Sequence, residues 1–296
     1  MLDKTNDIAE ATRKVTAFGP QFNPDILQAT RAIWAPLVGK ARTNVQVTKN
    51  VAYGKDPRHT LDIYRPAQAA DRVLIYVPGG GFVGGSKDGD DGVGPFYGNI
   101  GNYLADHGIL TIIINYRLAP AHPYPAGAQD VAAAVAWTRA NAKQYGGNPN
   151  RIVLWGQSAG AMHSAAYVFN TSFQPAGGPG VAACILMSGP YKVEGELRAG
   201  MLAYFGADKS TYAERSPLTH VSKGAKVSMM LSVAEYDPAF LVTPTYELAM
   251  ALTQRDGKSP HVAYFAGHNH VSTVMSFGTA QDDVGSVIRG FVAGVK

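Results

Sequence analysis

Ser158, within the pentapeptide GQSAG at residues 156–160, is the residue whose type and setting most directly suggest chemistry. A serine hydroxyl is a weak nucleophile unless a neighbouring base takes its proton. A G-x-S-x-G pentapeptide between a strand and a helix is typical of a sharp turn that exposes the serine. Small residues suit this turn because the flanking chain passes too close for a Cβ. The pattern predicts a nucleophilic serine, and the alternative is a serine that only caps the next helix.

Two later loops offer the acid and the base that such a serine needs. Glu235 and Asp237 follow the apolar run KVSMMLSV, and His268 and His270 follow the run HVAYFAG. A nucleophile on such a strand-to-helix turn is typically followed along the chain by the acid and then by the histidine, and this sequence has that order. We predict that Asp237 is the acid and His270 the base. Glu235 lies closer to its strand, so its side chain is expected to point away from the serine. His270 lies two residues further along its loop than His268, so its imidazole can extend back toward Ser158. Asp237 as a helix N-cap, and His268 as a solvated or supporting histidine, are the alternatives.

The glycine-rich stretch PGGGFVGG at residues 78–85 admits two chemistries. Its G-x-G-x-x-G spacing matches a dinucleotide fingerprint, whereas a glycine loop before the nucleophile turn can supply amides to an oxyanion. A dinucleotide loop should open a helix at once, but residues 84–95 are rich in helix breakers, and no acid ends the next strand. We therefore predict an oxyanion loop, and we expect no cofactor and no metal.

The elements that must position these residues alternate between strand and helix from about residue 72. Their strands are apolar throughout, which favours a parallel sheet buried on both faces by helices. Two earlier β-like runs, NVQVTKNVAYG and HTLDIYRP, predict an antiparallel pair that opens the sheet. The predicted fold is α/β, with a mostly parallel central sheet flanked by helices in a single domain over residues 1–296.

Two segments break this alternation and predict a small helical cap over the site. Residues 1–42 have helical periodicity, and residues 190–225 separate two strands by far more than the usual connection. These segments and the glycine loop carry aromatic and apolar side chains, which predict an apolar or aromatic substrate pocket. The alternative is that these side chains only pack the cap against the rest of the domain. The candidates are Phe82, Trp34, Tyr204 and Phe205, with Phe22, Tyr191 and Met201.

The amino-acid composition disfavours some classes of binding partner. The 296 residues are 46% hydrophobic and 16% charged with a net charge of +4, but the basic residues are scattered rather than clustered, which disfavours nucleic acid. The single cysteine, Cys184, excludes an intramolecular disulfide and is expected to be a buried hydrophobe. With no leader-like or membrane-spanning run in the sequence, we expect no membrane span and a cytoplasmic location. A homodimer is one assembly that the sequence allows.

Five stretches together resemble one family, the α/β-hydrolase esterases of the hormone-sensitive-lipase-like group, with a secondary likeness to kynurenine formamidases. The likeness covers roughly residues 45–294, and the stretches are PGGGF (78–82), NYRLAPAHPYPAGAQDV (115–131), GGNPNRIVLWGQSAGA (146–161), AEYDP (234–238) and GHNHVS (267–272). The resemblance implies a triad of Ser158, Asp237 and His270. It also implies an oxyanion hole made of the amides of Gly80, Gly81 and Ala159.

The same resemblance implies a scaffolding role for YRLAP and Asp130, and His163 is expected to be packed within its helix. The sequence departs from the family at Pro78, where a histidine is usual, and at Gln157, where an acid is frequent. Proline cannot donate the hydrogen bonds with which that histidine braces the glycine loop, although its fixed φ can stiffen the turn.

The predicted function is a serine carboxylester hydrolase that acts on small to medium, apolar or aromatic esters through an acyl-enzyme. The alternatives are an amidase, formamidase or carbamate hydrolase with the same triad and, more remotely, a non-catalytic binding protein on this scaffold. The predicted partner is a small-molecule ester.

Overall fold

A computed structural model of the chain describes residues 4–40, 43–89 and 96–296, and its eight strands form one sheet. The ends of the predicted N-terminal segment, at residues 1–3 and 41–42, and residues 90–95 lie outside the described residues. The strands are β1 Gln46–Ala52, β2 Thr60–Arg65, β3 Val73–Val77, β4 Leu110–Ile114, β5 Ile152–Gln157, β6 Ala183–Met187, β7 Ser228–Tyr236 and β8 His261–Asn269.

The spatial order of the strands is β1-β2-β4-β3-β5-β6-β7-β8. β1 pairs antiparallel with β2 and β2 antiparallel with β4, whereas every later pairing is parallel. The predicted mostly parallel sheet and its opening antiparallel pair are therefore confirmed. The carboxyl ends of the parallel strands share one edge, where the loops that follow β3, β5, β7 and β8 meet.

The central strands are apolar throughout because both faces of the sheet are covered. Along β3, Val73, Ile75 and Val77 belong to one buried cluster, and Leu74 and Tyr76 belong to the cluster on the opposite face. Successive side chains of a strand point to opposite faces, so a strand buried on both sides needs apolar residues at every position.

Helices cover both faces and end at recognisable signals. In α2 the Asn23 side chain caps the first turn by accepting from the Ile26 amide at 3.0 Å, and α9 ends at Gly257 with a φ of +68°. The helices are α1 Lys4–Phe18, α2 Pro24–Trp34, α3 Gly98–Asp106, α4 Ala126–Asn141, α5 Ala159–Phe169, α6 Ala199–Phe205, α7 Tyr212–Arg215, α8 Pro217–His220, α9 Ala239–Asp256, α10 Ser272–Met275 and α11 Asp283–Gly294. None of those in the described ranges has both the length and the apolar character needed to cross a bilayer.

The segments predicted as a cap divide between two positions. α1 packs against β8 and α2 against α10, while α8 packs against α5 and α9 on the body of the sheet. Within residues 190–225, α6 comes closest to the glycine loop, since a Cβ at Gly200 would collide with the carbonyl oxygen of Gly81. The part of this segment that covers the site is therefore shorter than the sequence predicts.

Candidate active site

Ser158 occupies the sharp turn between β5 and α5. Its φ of +56° and ψ of −121° lie in a region that non-glycine residues rarely adopt, and its amide donates to the carbonyl of Met187 at 2.9 Å. A Cβ at Gly160 would collide with the carbonyl of Val77, so only glycine fits at this second position of α5. The turn leaves Ser158 partly exposed between buried neighbours at the carboxyl edge of the sheet.

Asp237 lies in the turn after β7 and is almost fully buried. Its Oδ2 accepts from the Ser188 hydroxyl at 2.6 Å and from the Ala234 amide at 2.7 Å, and its Oδ1 lies 2.8 Å from Nδ1 of His270. No side chain of the described chain caps the start of α9, so Asp237 is not the helix cap considered as its alternative. Glu235 points away and accepts from the Gly267 amide at 2.7 Å.

His270 follows β8, and its ring has a defined tautomer. Because the Asp237 carboxylate only accepts, the neutral form of this imidazole carries its proton on Nδ1 and presents a lone pair at Nε2. The neighbouring Asn269 fixes the loop, since its side chain donates to the Thr30 hydroxyl of α2 at 2.8 Å. The Phe22 ring packs edge-on against the imidazole with centroids 4.9 Å apart. The N-terminal segment therefore helps to hold this histidine.

The lone pair on Nε2 of His270 faces Gln157 rather than Ser158. The Gln157 side-chain nitrogen lies 3.2 Å from Nε2 and 3.2 Å from the carbonyl oxygen of His270. Among the described residues no hydrogen bond joins Ser158 to His270. The sequence analysis identified Gln157 only as a departure from the family pattern. Gln157 and His270 are 113 residues apart, so no local sequence pattern predicts their contact.

The glycine loop adopts backbone angles that its residue types permit. The φ angles of Gly80 and Gly81 are +142° and +60°, and a Cβ at Gly80 would collide with the carbonyl oxygen of Gly84. Within the described part of the chain, the amides of Gly80, Gly81 and Ala159 donate to no acceptor. Such unpaired amides can serve a bound oxyanion.

The loop that begins at Pro78 is braced from outside rather than by a histidine of its own. The Tyr116 hydroxyl donates to the carbonyl of Pro78 at 3.1 Å. The Arg58 guanidinium donates to the carbonyls of Gly85 and Tyr116, each at 2.7 Å. Both ends of the glycine loop are therefore tied to the chain that follows β4.

An apolar cavity of about 510 Å³ opens at Ser158. It includes Phe22, Phe82 and Met201 of the predicted wall, and Arg198 is its only charged side chain within the described lining. The other lining residues are Gly81, Val83, Ala159, Pro190, Ala199, Gly200, Phe240 and Leu241.

The chain is similar in sequence to known proteins. A family model described as BD-FAE matches residues 61–173, which hold the glycine loop and the Ser158 turn. Esterase LipC of Mycobacterium tuberculosis is 39% identical over 135 residues (44% of this chain, 32% of LipC), and Esterase LipQ of that organism is 30% identical over 285 residues (84% and 65%). The chain spans less than two thirds of the length of these relatives.

A solved structure extends the likeness to the whole fold. The carboxylesterase EstE1, cloned from a metagenomic library, superposes with a TM-score of 0.72 at 19% identity, covering 91% of this chain and 95% of EstE1. These matches support an α/β-hydrolase esterase of the hormone-sensitive-lipase-like group. The resemblance drawn from the five sequence stretches is confirmed.

Four of the aromatic residues predicted for the pocket are absent from its described lining. Trp34 is fully buried and stacks on His268 with centroids 5.8 Å apart, because the end of α2 faces the core. Tyr204 stacks on Phe82 at 4.9 Å, and Phe205 meets Phe82 edge-on at 5.4 Å. The last two therefore form a layer behind the wall, and the prediction of Trp34, Tyr204 and Phe205 as wall residues is wrong. Tyr191 is also buried outside the described lining.

The two other histidines near the motifs have structural positions. His268 is buried rather than solvated, with Nδ1 2.9 Å from the Ser272 hydroxyl and Nε2 3.0 Å from Asp283. His163 is buried in α5 among the rings of Phe82, Tyr116 and Tyr204, and neither of its ring nitrogens has a hydrogen-bond partner among the described residues. Burial lowers the pKa of His163 from 6.5 to about 3, which keeps its imidazole neutral.

Asp130 and Cys184 lie in the interior of the protein. Asp130 accepts from both Nε and Nη2 of Arg117 and lies 3.0 Å from Nε2 of His59, so it ties the chain after β4 to α4. Cys184 is buried in β6, and burial raises the pKa of its thiol well above the ordinary value. A neutral thiol in this position packs as a small hydrophobe.

Proposed function

We propose that this protein is a serine carboxylester hydrolase that acts on small to medium, apolar or aromatic esters through an acyl-enzyme. The observation that carries the proposal is the buried Asp237–His270 pair at the strand edge where Ser158 lies partly exposed in its strained turn. That combination supplies a nucleophile, a base and a group that orients the base.

In the first half of the proposed reaction, Nε2 of His270 accepts the hydroxyl proton of Ser158 while Oγ attacks the ester carbonyl carbon. The carbonyl electron pair moves to oxygen, where the amides of Gly80, Gly81 and Ala159 donate to the oxyanion. Asp237 holds the imidazolium that has formed. The oxyanion collapses, the alkoxide leaves with the proton from Nε2, and the acyl group stays on Ser158.

In the second half, a water molecule gives its proton to Nε2 of His270 and attacks the acyl carbon. The tetrahedral intermediate uses the same three amides, and its collapse returns the proton to Oγ of Ser158 and releases the carboxylic acid. The products are one alcohol and one acid, and the enzyme is restored.

The apolar cavity supports the proposed substrate class. Its lining is almost entirely aliphatic, aromatic or glycine, and its volume of about 510 Å³ suits a small to medium ester. The relatives that match the chain are named esterases, which supports an ester rather than an amide as the substrate.

The decisive experiment compares Ser158→Ala with the unchanged protein on 4-nitrophenyl butyrate. We expect turnover to fall at least about 10³-fold while the circular dichroism spectrum is retained, because no other group replaces the nucleophile. Ser172→Ala is the control, since Ser172 is exposed and lies outside the described cavity lining. A fluorophosphonate probe should label the unchanged protein and Ser172→Ala but not Ser158→Ala.

Retained hydrolysis by Ser158→Ala would reject the assignment of the nucleophile. The matched anilide, butyryl 4-nitroanilide, tests the bond that is cleaved. We expect kcat/KM for the ester to exceed that for the anilide by at least about 10²-fold, and a preference for the anilide would replace the esterase proposal by the amidase alternative.

A further inference from the structure

Arg198 is the only charged side chain in the described lining of the cavity at Ser158. Every other side chain of that lining, apart from the Ser158 hydroxyl, is apolar or absent. Arg198 is exposed, and it precedes α6 in the segment closest to the glycine loop. A lone cation beside an otherwise apolar cavity is a candidate for selecting substrates by charge.

Arg198 has no acidic partner among the described residues, unlike two lysines of residues 190–225. Lys192 is paired with Glu194 at 2.9 Å, and Lys209 is paired with Glu196. No carboxylate of the described residues lies within 4.0 Å of the Arg198 guanidinium. Its positive charge is therefore not neutralised by any described side chain.

The guanidinium is nevertheless held in place. It lies over the ring of Phe240 at 4.6 Å and that of Phe22 at 5.4 Å, and Nη2 donates to the carbonyl of Phe22 at 3.3 Å. Two aromatic faces and one carbonyl orient the planar group while using one of its five N–H donors. The remaining donors are available for a ligand.

We propose that Arg198 binds a carboxylate carried by the ester substrate, so that the preferred substrates are half-esters in which an apolar spacer separates the ester from a carboxylate. This inference rests on the proposed esterase function. A guanidinium offers two parallel N–H donors that match a carboxylate. A monoanion fits better than a phosphate dianion, since no second cation lines the described cavity.

Arg198 has a simpler possible role as a tie between Phe22 and Phe240. A tie acts on every substrate alike, whereas a carboxylate site changes the selectivity between charged and neutral substrates. The readout is therefore a ratio. We compare mono-4-nitrophenyl suberate with the 4-nitrophenyl ester of suberic acid monoamide, which has the same chain length and no charge.

For the unchanged protein, we expect kcat/KM to be roughly tenfold higher for the carboxylate than for the carboxamide, mainly through a lower KM. Arg198→Met should bring this ratio close to one, and Arg198→Lys should retain only part of it because an ammonium lacks the planar fork. Raising NaCl to 0.5 M should reduce the ratio for the unchanged protein and not for Arg198→Met. Lys192→Met, which removes a nearby cation outside the described lining, should leave the ratio unchanged.

A ratio of one or less in the unchanged protein overturns the proposal, as does an equal loss on both esters in Arg198→Met. Binding keeps this test separate from the esterase proposal. In Ser158→Ala, calorimetry should give roughly tenfold tighter binding of monomethyl suberate than of its terminal carboxamide, and the added Arg198→Met should abolish the difference. If that difference appears without any turnover by the unchanged protein, only the esterase proposal fails; if turnover appears without the difference, only the carboxylate site fails.

Discussion

The side-chain amide of Gln157 lies 3.2 Å from Nε2 of His270 and 3.2 Å from the carbonyl oxygen of that same residue. The carbonyl can only accept, so the NH₂ group is the end of the amide that faces the histidine, and it donates to the lone pair of Nε2. In the proposed mechanism this lone pair takes the proton of Ser158. Gln157 therefore stabilises the resting imidazole and competes with the nucleophile for it.

Replacing this amide should speed the reaction. The hydrogen bond from Gln157 to Nε2 exists in the resting state and is lost when Nε2 is protonated, so it raises the activation free energy. A neutral hydrogen bond of this kind contributes about 0.5–1.5 kcal/mol. We expect Gln157→Met, which nearly keeps the volume, to raise kcat roughly twofold to tenfold on 4-nitrophenyl butyrate. A fall in kcat would instead show that the amide orients the imidazole for catalysis.

The choice between the two acids after β7 can be tested by isosteric substitution. Asp237→Asn should lower kcat by about 10⁴, because an amide at this position no longer holds the proton on Nδ1 of His270. Glu235→Gln should change kcat less than threefold, since its carboxylate contacts the Gly267 amide and not the histidine. Steady-state kinetics on the same ester measures both variants. Comparable losses in the two would contradict the assignment of Asp237.

We expect Tyr116 to brace the glycine loop, the role that a histidine at position 78 usually has in the family. Tyr116→Phe removes the hydroxyl that donates to the Pro78 carbonyl, and we expect kcat to fall roughly threefold to tenfold with KM little changed. Tyr76→Phe is the matched control, because the buried hydroxyl of Tyr76 has no partner in the described chain. If kcat is unaffected in Tyr116→Phe, the Arg58 contacts alone are sufficient to hold the loop.

Sequence patterns predicted those features that follow from backbone geometry. The strand β3 was predictable because burial on both faces demands apolar residues at each position. The Ser158 turn was predictable because close chain approach leaves room only for glycine at Gly160. The hydrogen bond between Asp237 and His270 joins two residues that follow neighbouring parallel strands, whose carboxyl ends meet at one edge of the sheet.

Side-chain direction was not predictable in the same way. Phe22 and Trp34 are aromatic residues of one helical segment, but Phe22 precedes the start of α2 and reaches His270, while Trp34 ends the helix and faces the core. Periodicity within a segment does not reveal which tertiary neighbour a terminal residue meets. The contact of Gln157 with His270 likewise depends on the packing of distant loops.

His163 should make the stability of the protein depend on pH. Burial lowers the pKa of its imidazole from 6.5 to about 3 in the folded state, so between these values the unfolded chain binds a proton that the folded protein does not. Unfolding then becomes more favourable as the pH falls. This group should cost about 1.4 kcal/mol of folding free energy for each pH unit below 6.5, until the pH approaches 3.

The variant His163→Leu isolates this contribution, because every other titrating group is shared with the unchanged protein. Within the part of the chain that the structure describes, neither ring nitrogen of His163 has a hydrogen-bond partner, so leucine should not lower the stability at pH 7 by more than about 1 kcal/mol. Urea unfolding at pH 7.0, 5.5 and 4.5 should show the variant losing about 2.5 kcal/mol less than the unchanged protein by pH 4.5. His261→Gln, at an exposed histidine, should follow the unchanged protein. Parallel losses in His163→Leu and the unchanged protein would mean that His163 gains its proton without unfolding, through a local opening of the aromatic cluster around α5.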